Sequence, residues 1–321
     1  MDAAKLKAFS TYVGGRGCVT RHGYMVYTWG SATRRGDVAS ACKPWYSHFL
    51  FKAVEDGKIA GLDEKVCKFE PRLAALNEAL GHKDRNITWR HLANQTSCYG
   101  ITEKPGTAFC YNDWQMALFW DLLFLKVYGA TYETVDRKVL GPLLTDRIGC
   151  EDKPTFMAFG TKNRPGRVGV SPRDFCRFGL LYLHKGSWKG TQLISRKHAV
   201  MAVTSPLPVS IPRARGKAAE MIRSQRSIGS RSRPDNQCDH IGSYSWLWWT
   251  NGLDRKSKRH WPDVPKDAYG CFGHGGLRAM VVITSLDLVM SWNDTTVRGR
   301  ERESRALKLL VEAAIPGRST R

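Results

Sequence analysis

Ser40-Ala41-Cys42-Lys43 sets a hydroxyl and an amine three positions apart. On a helical turn that spacing puts both side chains on one face, so Ser40 Oγ and Lys43 Nζ can meet. A serine hydroxyl is a weak nucleophile until a base removes its proton. A lysine held neutral by burial and a nearby positive charge is such a base. The rival serine chemistry, a Ser-His-Asp triad, lacks a G-x-S-x-G elbow around Ser40. Cys42 lies between the pair, but no motif joins it to a histidine, and it reads as packing. The nine cysteines show neither C-x-x-C nor another metal-type spacing, and H-E-x-x-H is absent. No metal site is expected, and the cysteines read as free, mostly buried thiols of a reducing compartment.

The elements around Ser40 follow from pattern. Met1 to Val13 reads as a short amphipathic helix through Leu6, Phe9 and Val13. Two β-type runs, Gly17–Arg21 and Tyr24–Trp29, flank His22-Gly23 as a hairpin. A helix is expected from Ser40, with Pro44 in its first turn, where a missing N–H costs little, and Gly57 at its end. Helices are also expected over Pro71–Leu80, Thr88–Asn94, Asp113–Tyr128, Tyr132–Leu144 and Ser171–His184. Strands are expected over Ser243–Thr250, Leu277–Thr284 and Leu286–Asn293, the last two as a buried antiparallel pair, with a closing helix over Arg302–Ala314. Strands at both ends and helices between imply an α+β fold: an antiparallel sheet flanked by helices, with an inserted helical domain. The expected division is 1–50 with 160–321 for the sheet and 51–159 for the helices. A site at Ser40 then falls where sheet and insert meet, the usual place for a cleft.

Composition sets bounds. The 321 residues, 42% hydrophobic with eleven tryptophans, describe a folded globular chain. No apolar run has the length of a membrane span, and the first residues lack the apolar stretch of a signal peptide, so a cytoplasmic location is expected. The formal charge of +21 attracts anions. The basic residues are dispersed, however. The one dense region, Arg213–Arg233, holds seven Lys/Arg against Glu220 alone, and reads as a mobile surface loop rather than a nucleic-acid surface.

Further segments fall in a familiar order. Ile87-Thr88-Trp89-Arg90-His91-Leu92-Ala93-Asn94-Gln95-Thr96-Ser97 resembles the ITIRHLLTHTSG stretch of serine β-lactamase-like hydrolases. Pro105-Gly106-Thr107-Ala108-Phe109-Cys110-Tyr111-Asn112-Asp113 resembles their PGxxFxYSN segment with its Y-x-N motif. Asp174 to Leu181 resembles the DLARFGLLxLxxG helix. Phe272-Gly273-His274-Gly275-Gly276 lies where that superfamily places K-T-G, H-x-G or W-G-G. The chain therefore resembles, over roughly residues 1–315, the class C β-lactamase, family VIII esterase, D-aminopeptidase and 6-aminohexanoate-dimer hydrolase superfamily.

That resemblance implies a cofactor-free serine hydrolase working through an acyl-enzyme. Ser40 would be the nucleophile and Lys43 its proton partner. Tyr111 would be a second basic group, its phenol pKa lowered by the Lys43 ammonium. Backbone N–H groups of Ser40 and Leu277 would form the oxyanion hole, with Gly275 and Gly276 leaving room for substrate. Two departures bear on the substrate. Asp113 stands where the family has Asn; it cannot donate a hydrogen bond when ionised, pairs with Lys43 instead, or caps the following helix. His274 replaces the lysine of β-lactamases and is a weak cation at neutral pH. Both favour small esters, with amides and peptides next and β-lactams last. An inactive binding or scaffold protein is the alternative of a different class.

Overall fold

The structure, a computed structural model, describes residues 1–162, 164–229 and 234–314. A seven-stranded antiparallel sheet forms the frame. Its order is Tyr24–Trp29, Arg16–Arg21, Leu288–Asn293, Arg278–Ile283, Ala268–Gly273, Trp248–Thr250 and Tyr244–Ser245. The early hairpin thus forms one edge and joins the late strands at a single junction, with Cys18 opposite Ser291, while within the late strands Met280 lies opposite Cys271.

The central strands are buried on both faces, while the edge strand Tyr24–Trp29 is largely exposed. Met280, Val282 and Val289 point into the larger core, beside Phe175 and Phe178 of the helix Pro172–Leu183. Ala279, Val281 and Met290 point the other way, onto Phe9 of the helix Ala3–Val13 and Leu307 of the helix Arg300–Ala314. This double cover explains why the two late strands read as continuous apolar runs rather than alternating ones. Between early and late strands the chain builds the helical part. Its principal pieces are the helix Lys43–Glu55, with Pro44 in its first turn, and Asp113–Trp120, which widens into a π-helical stretch over Asp121–Val127. No helix among the described residues is long and apolar enough to cross a membrane.

Several local expectations change. Ser243–Thr250 is a tight hairpin rather than one strand, because Trp246 and Leu247 take positive φ values of 47° and 73°. Pro71–Leu80 is two 3₁₀ turns. Asn77 lies between them in the left-handed region, its side chain bonded to Asp84 and to Glu220. Among the elements with no expectation are the helix Arg196–Thr204 and the strand Ala268–Gly273, whose two glycines mask it.

The basic region is the largest correction. Its described part, residues 213–229, is tied to the rest of the fold at several points. Glu103 Oε1 accepts the Arg215 N–H at 2.7 Å, and Asn77 and Glu220 exchange two bonds of 2.9 Å. Arg226 pairs with Asp121 at 2.7 Å, and its guanidinium lies 5.3 Å from the Trp120 ring. Irregular sequence here reflects backbone that bonds to distant partners instead of to itself. Arg231 and Arg233 lie outside the described residues.

Candidate active site

Ser40 sits in a 3₁₀ turn, Ala39–Cys42, that leads into the helix Lys43–Glu55. The tighter turn eclipses residues three apart. Lys43 Nζ accordingly donates to Ser40 Oγ at 2.9 Å. Ala39 holds a positive φ of 52°, a strained conformation for a residue with a Cβ. Asp37 fixes that turn: its Oδ1 accepts the Ala39 N–H at 2.9 Å, and the carboxylate is paired with Arg167, whose Nη2 lies 2.6 Å from Oδ2. Neither Asp37 nor Arg167 belongs to a motif in the sequence.

Lys43 is buried and meets two further groups. Asp113 Oδ1 accepts from its Nζ at 3.2 Å, and the Tyr111 ring centroid lies 4.6 Å away. The Lys43–Asp113 pairing expected from the sequence is therefore present. The cap is not Asp113, however. Asn112 Oδ1 accepts the N–H groups of Trp114 and Gln115, and Asp113 is the first helical residue. Burial raises the Asp113 carboxyl, but Lys43, the hydrogen bond from Gln237 and Arg167 together outweigh it and hold the pKa below the ordinary carboxylate value.

Tyr111 departs from expectation. Burial pushes its phenol well above 10, and the nearby Cys238 and Asp113 push the same way. Proximity to Ser40 favours the phenolate but does not prevail, so Tyr111 is a neutral phenol. Cys42 is fully buried, with its thiol pKa raised by that burial, consistent with packing.

The opposite wall is the turn after the strand Ala268–Gly273. Gly273 lies directly on the Ser40 turn: a Cβ there would overlap the Val38 carbonyl oxygen and stand 3.2 Å from the Ala41 nitrogen. His274 follows, at the turn rather than on a strand, bonded to Arg278. Burial and then Arg278 and Arg167 lower its pKa, so it is neutral near pH 7. Gly275 lines the cleft with it. Gly276 does not; its missing Cβ makes room for Glu303, whose Oε1 would stand 2.7 Å away. Leu277 also lies off the cleft wall, and its carbonyl accepts from the Thr295 N–H and hydroxyl at 3.2 and 3.0 Å.

Ser40, Tyr111, Asp113, His274 and Gly275 share one cleft of about 650 Å³. Trp249, Phe272 and Ile241 give it apolar surface, and Gln237, Arg164 and Arg298 give it polar groups outside the sequence reading. Among the described residues neither Arg164 nor Arg298 is paired with a carboxylate. The cleft therefore does hold cations, contrary to the reading from His274 alone. Only folding reveals them, since lone arginines in a chain this basic carry no signal.

No family model matches the chain, and no curated protein matches it in sequence. Solved structures do match in fold. A protein assigned by name to the 6-aminohexanoate-dimer hydrolases, from Bacillus anthracis, is 13% identical, with a TM-score of 0.66 over 96% of this chain and 81% of that one. A β-lactamase from Mycobacterium bovis is 16% identical, with a TM-score of 0.64 over 97% and 100%. EstCE1, a hydrolase with promiscuous acyltransferase activity, is 12% identical, with a TM-score of 0.64 over 97% and 98%. The fold is that of serine β-lactamase-like hydrolases, as the sequence motifs implied.

Proposed function

We propose that this protein is a serine hydrolase that cleaves small carboxylic esters through an acyl-enzyme on Ser40. One observation carries the reading: a partly exposed serine at the base of a cleft, bonded at 2.9 Å to a buried lysine. The names of the structural neighbours, hydrolases of several substrates, point to the same chemistry.

In its uncharged form Lys43 Nζ takes the Ser40 proton as Oγ attacks the carbonyl carbon, and becomes the ammonium. Asp113, on the far side of Nζ, balances the charge that forms there. The neutral phenol of Tyr111 serves as a proton donor to the leaving group instead of a base. The oxyanion donors are the N–H of Ser40 and, in place of Leu277, that of His274, which follows the close contact between Gly273 and the Ser40 turn. The ammonium of Lys43 then returns its proton to the Tyr111 phenolate, and water repeats the sequence on the acyl-enzyme, releasing the acid and restoring Ser40. No step calls on a cofactor.

A second reading, an amide, peptide or β-lactam hydrolase, is favoured by Arg164 and Arg298, which suit a carboxylate-bearing substrate. A fluorophosphonate probe decides between a hydrolase and an inactive scaffold. Labelling is expected in the wild type and absent in Ser40→Ala, and a wild type that resists the probe and cleaves no p-nitrophenyl ester would refute the proposal. Comparing p-nitrophenyl acetate, amino-acid amides and nitrocefin then ranks the substrate classes, with the ester expected first.

A further inference from the structure

The segment that closes the cleft from outside both the sheet and the nucleophile's helix is residues 234–242. It touches the tyrosine and the aspartate together. Gln237 Nε2 donates to Asp113 Oδ2 at 3.3 Å, and the Gln237 backbone N–H donates to the Tyr111 carbonyl at 3.0 Å. Its neighbour Asn236 accepts the Tyr111 N–H at 3.0 Å through Oδ1 and donates to the Phe109 carbonyl at 2.8 Å through Nδ2. Tyr111 is thus held at both its N–H and its C=O by one dipeptide more than a hundred residues away. Asp113 is held at both oxygens, by Lys43 on one and Gln237 on the other.

We propose that Gln237 is a positioning residue for the Ser40 reaction, fixing the Asp113 carboxylate so that Lys43 stays against Ser40, and fixing Tyr111 through its own backbone. This rests on the reading of Ser40 as the nucleophile. The physical logic is that of a freely rotating carboxylate. With Oδ2 unbound, Asp113 can turn about its side-chain bonds and draw Nζ away from Oγ, and a displacement of about 1 Å at a reacting group costs on the order of a hundredfold in rate. A side-chain amide suits the task because it donates to the carboxylate and brings no charge of its own.

The titratable and charged groups that face Asp113 are Lys43, Arg167 and Tyr111. Gln237 adds a hydrogen bond that favours the ionised carboxylate. Its loss raises the Asp113 pKa, so the carboxylate protonates at a higher pH and any acid limb of activity moves toward neutrality.

Two variants test this, read by kcat and KM on p-nitrophenyl acetate from pH 4 to 9. Gln237→Leu keeps the volume and removes the amide. Its kcat is expected to fall about 10- to 100-fold, with KM changed far less, and the deficit is expected to grow as pH falls. Gln237→Glu keeps the shape and sets a second carboxyl against Asp113. Near neutrality the two repel and activity falls. As pH drops the introduced carboxyl protonates and can donate as the amide did, so this deficit is expected to shrink. The opposite signs separate a positioning role from general destabilisation, which lowers both profiles alike. If Gln237→Leu does not fold, the sign of the Gln237→Glu profile decides alone. Wild-type kcat and an unshifted profile in either folded variant would overturn the proposal. A wild type that neither labels nor hydrolyses overturns the reading beneath it, a distinct result.

Discussion

The turn that carries Ser40 and the strap that carries Gln237 solve the same task by opposite means. The turn is local. The 3₁₀ turn Ala39–Cys42 brings Ser40 and Lys43 into contact, and Asp37, three residues upstream of Ser40, secures it. The strap, residues 213–229 and 234–242, is anchored mainly from a distance, by bonds to Asn77, Glu103, Asp121, Tyr111 and Asp113. Local geometry can set the reacting pair within hydrogen-bond reach. Holding a third and fourth group against that pair takes contacts from elsewhere in the fold. The two regions should therefore fail differently, the turn by losing chemistry and the strap by losing order first.

The largest effect is expected in the turn. Lys43→Met fills much of the same buried space without a proton acceptor. It should lower kcat on a p-nitrophenyl ester by about 10²- to 10⁴-fold while thermal unfolding shows a folded protein. A variant retaining a tenth of wild-type kcat would mean that another base serves Ser40.

Glu303 tests the opposite wall. Burial raises its pKa to about 7, opposed by Arg300. Its folded-state pKa thus lies above the unfolded value of 4.5, so the folded state binds this proton more tightly. The contribution to stability is full below pH 4.5 and is lost as pH rises to about 7, amounting to about 3 kcal/mol. Urea unfolding of wild type and Glu303→Gln between pH 4.5 and 8 should diverge by that order across the window. Parallel curves would show that Glu303 ionises freely.

The strap predicts a smaller and different loss. Asn77→Ala removes the side-chain bonds to Asp84 and to the Glu220 backbone, though not the backbone bond to Glu220 Oε2, and leaves the buried Asp84 carboxylate short of a partner, at a cost of about 1–3 kcal/mol. Faster limited proteolysis within residues 213–229 should accompany it. Unchanged proteolysis would mean that Glu103 and Asp121 hold the strap without Asn77.

The smallest effect belongs to the exposed Arg298. Arg298→Ala should raise KM for nitrocefin or another carboxylate-bearing substrate several-fold, as expected for an exposed charge worth about 1 kcal/mol or less, and leave p-nitrophenyl acetate unchanged. Equal effects on both substrates would remove the case for an anion contact there.

Legibility in the sequence follows the same divide. Helix Lys43–Glu55, the early hairpin and the two late strands were readable because periodicity, Pro44 and turn residues act within a few positions. The strand Ala268–Gly273 was not, because its glycines answer to other segments: Gly270 lies against Met280, and Gly273 against the Ser40 turn. Gln237, Asn236, Asp37 and Arg167 gave no signal for a similar reason. A polar residue becomes a brace only through what stands opposite it.

By itself the sequence determined the Ser40–Lys43 contact, which needs only one turn, and through its motifs the fold and the meeting of Tyr111 and Asp113 with that pair. The tertiary structure alone decided the electrical state of the site. Burial from all sides keeps Tyr111 a neutral phenol, where the charge of Lys43 taken alone implied the reverse. It also decided that Leu277 and Gly276 do not line the cleft and that arginines do. Desolvation and orientation are sums over neighbours that chain order does not place together.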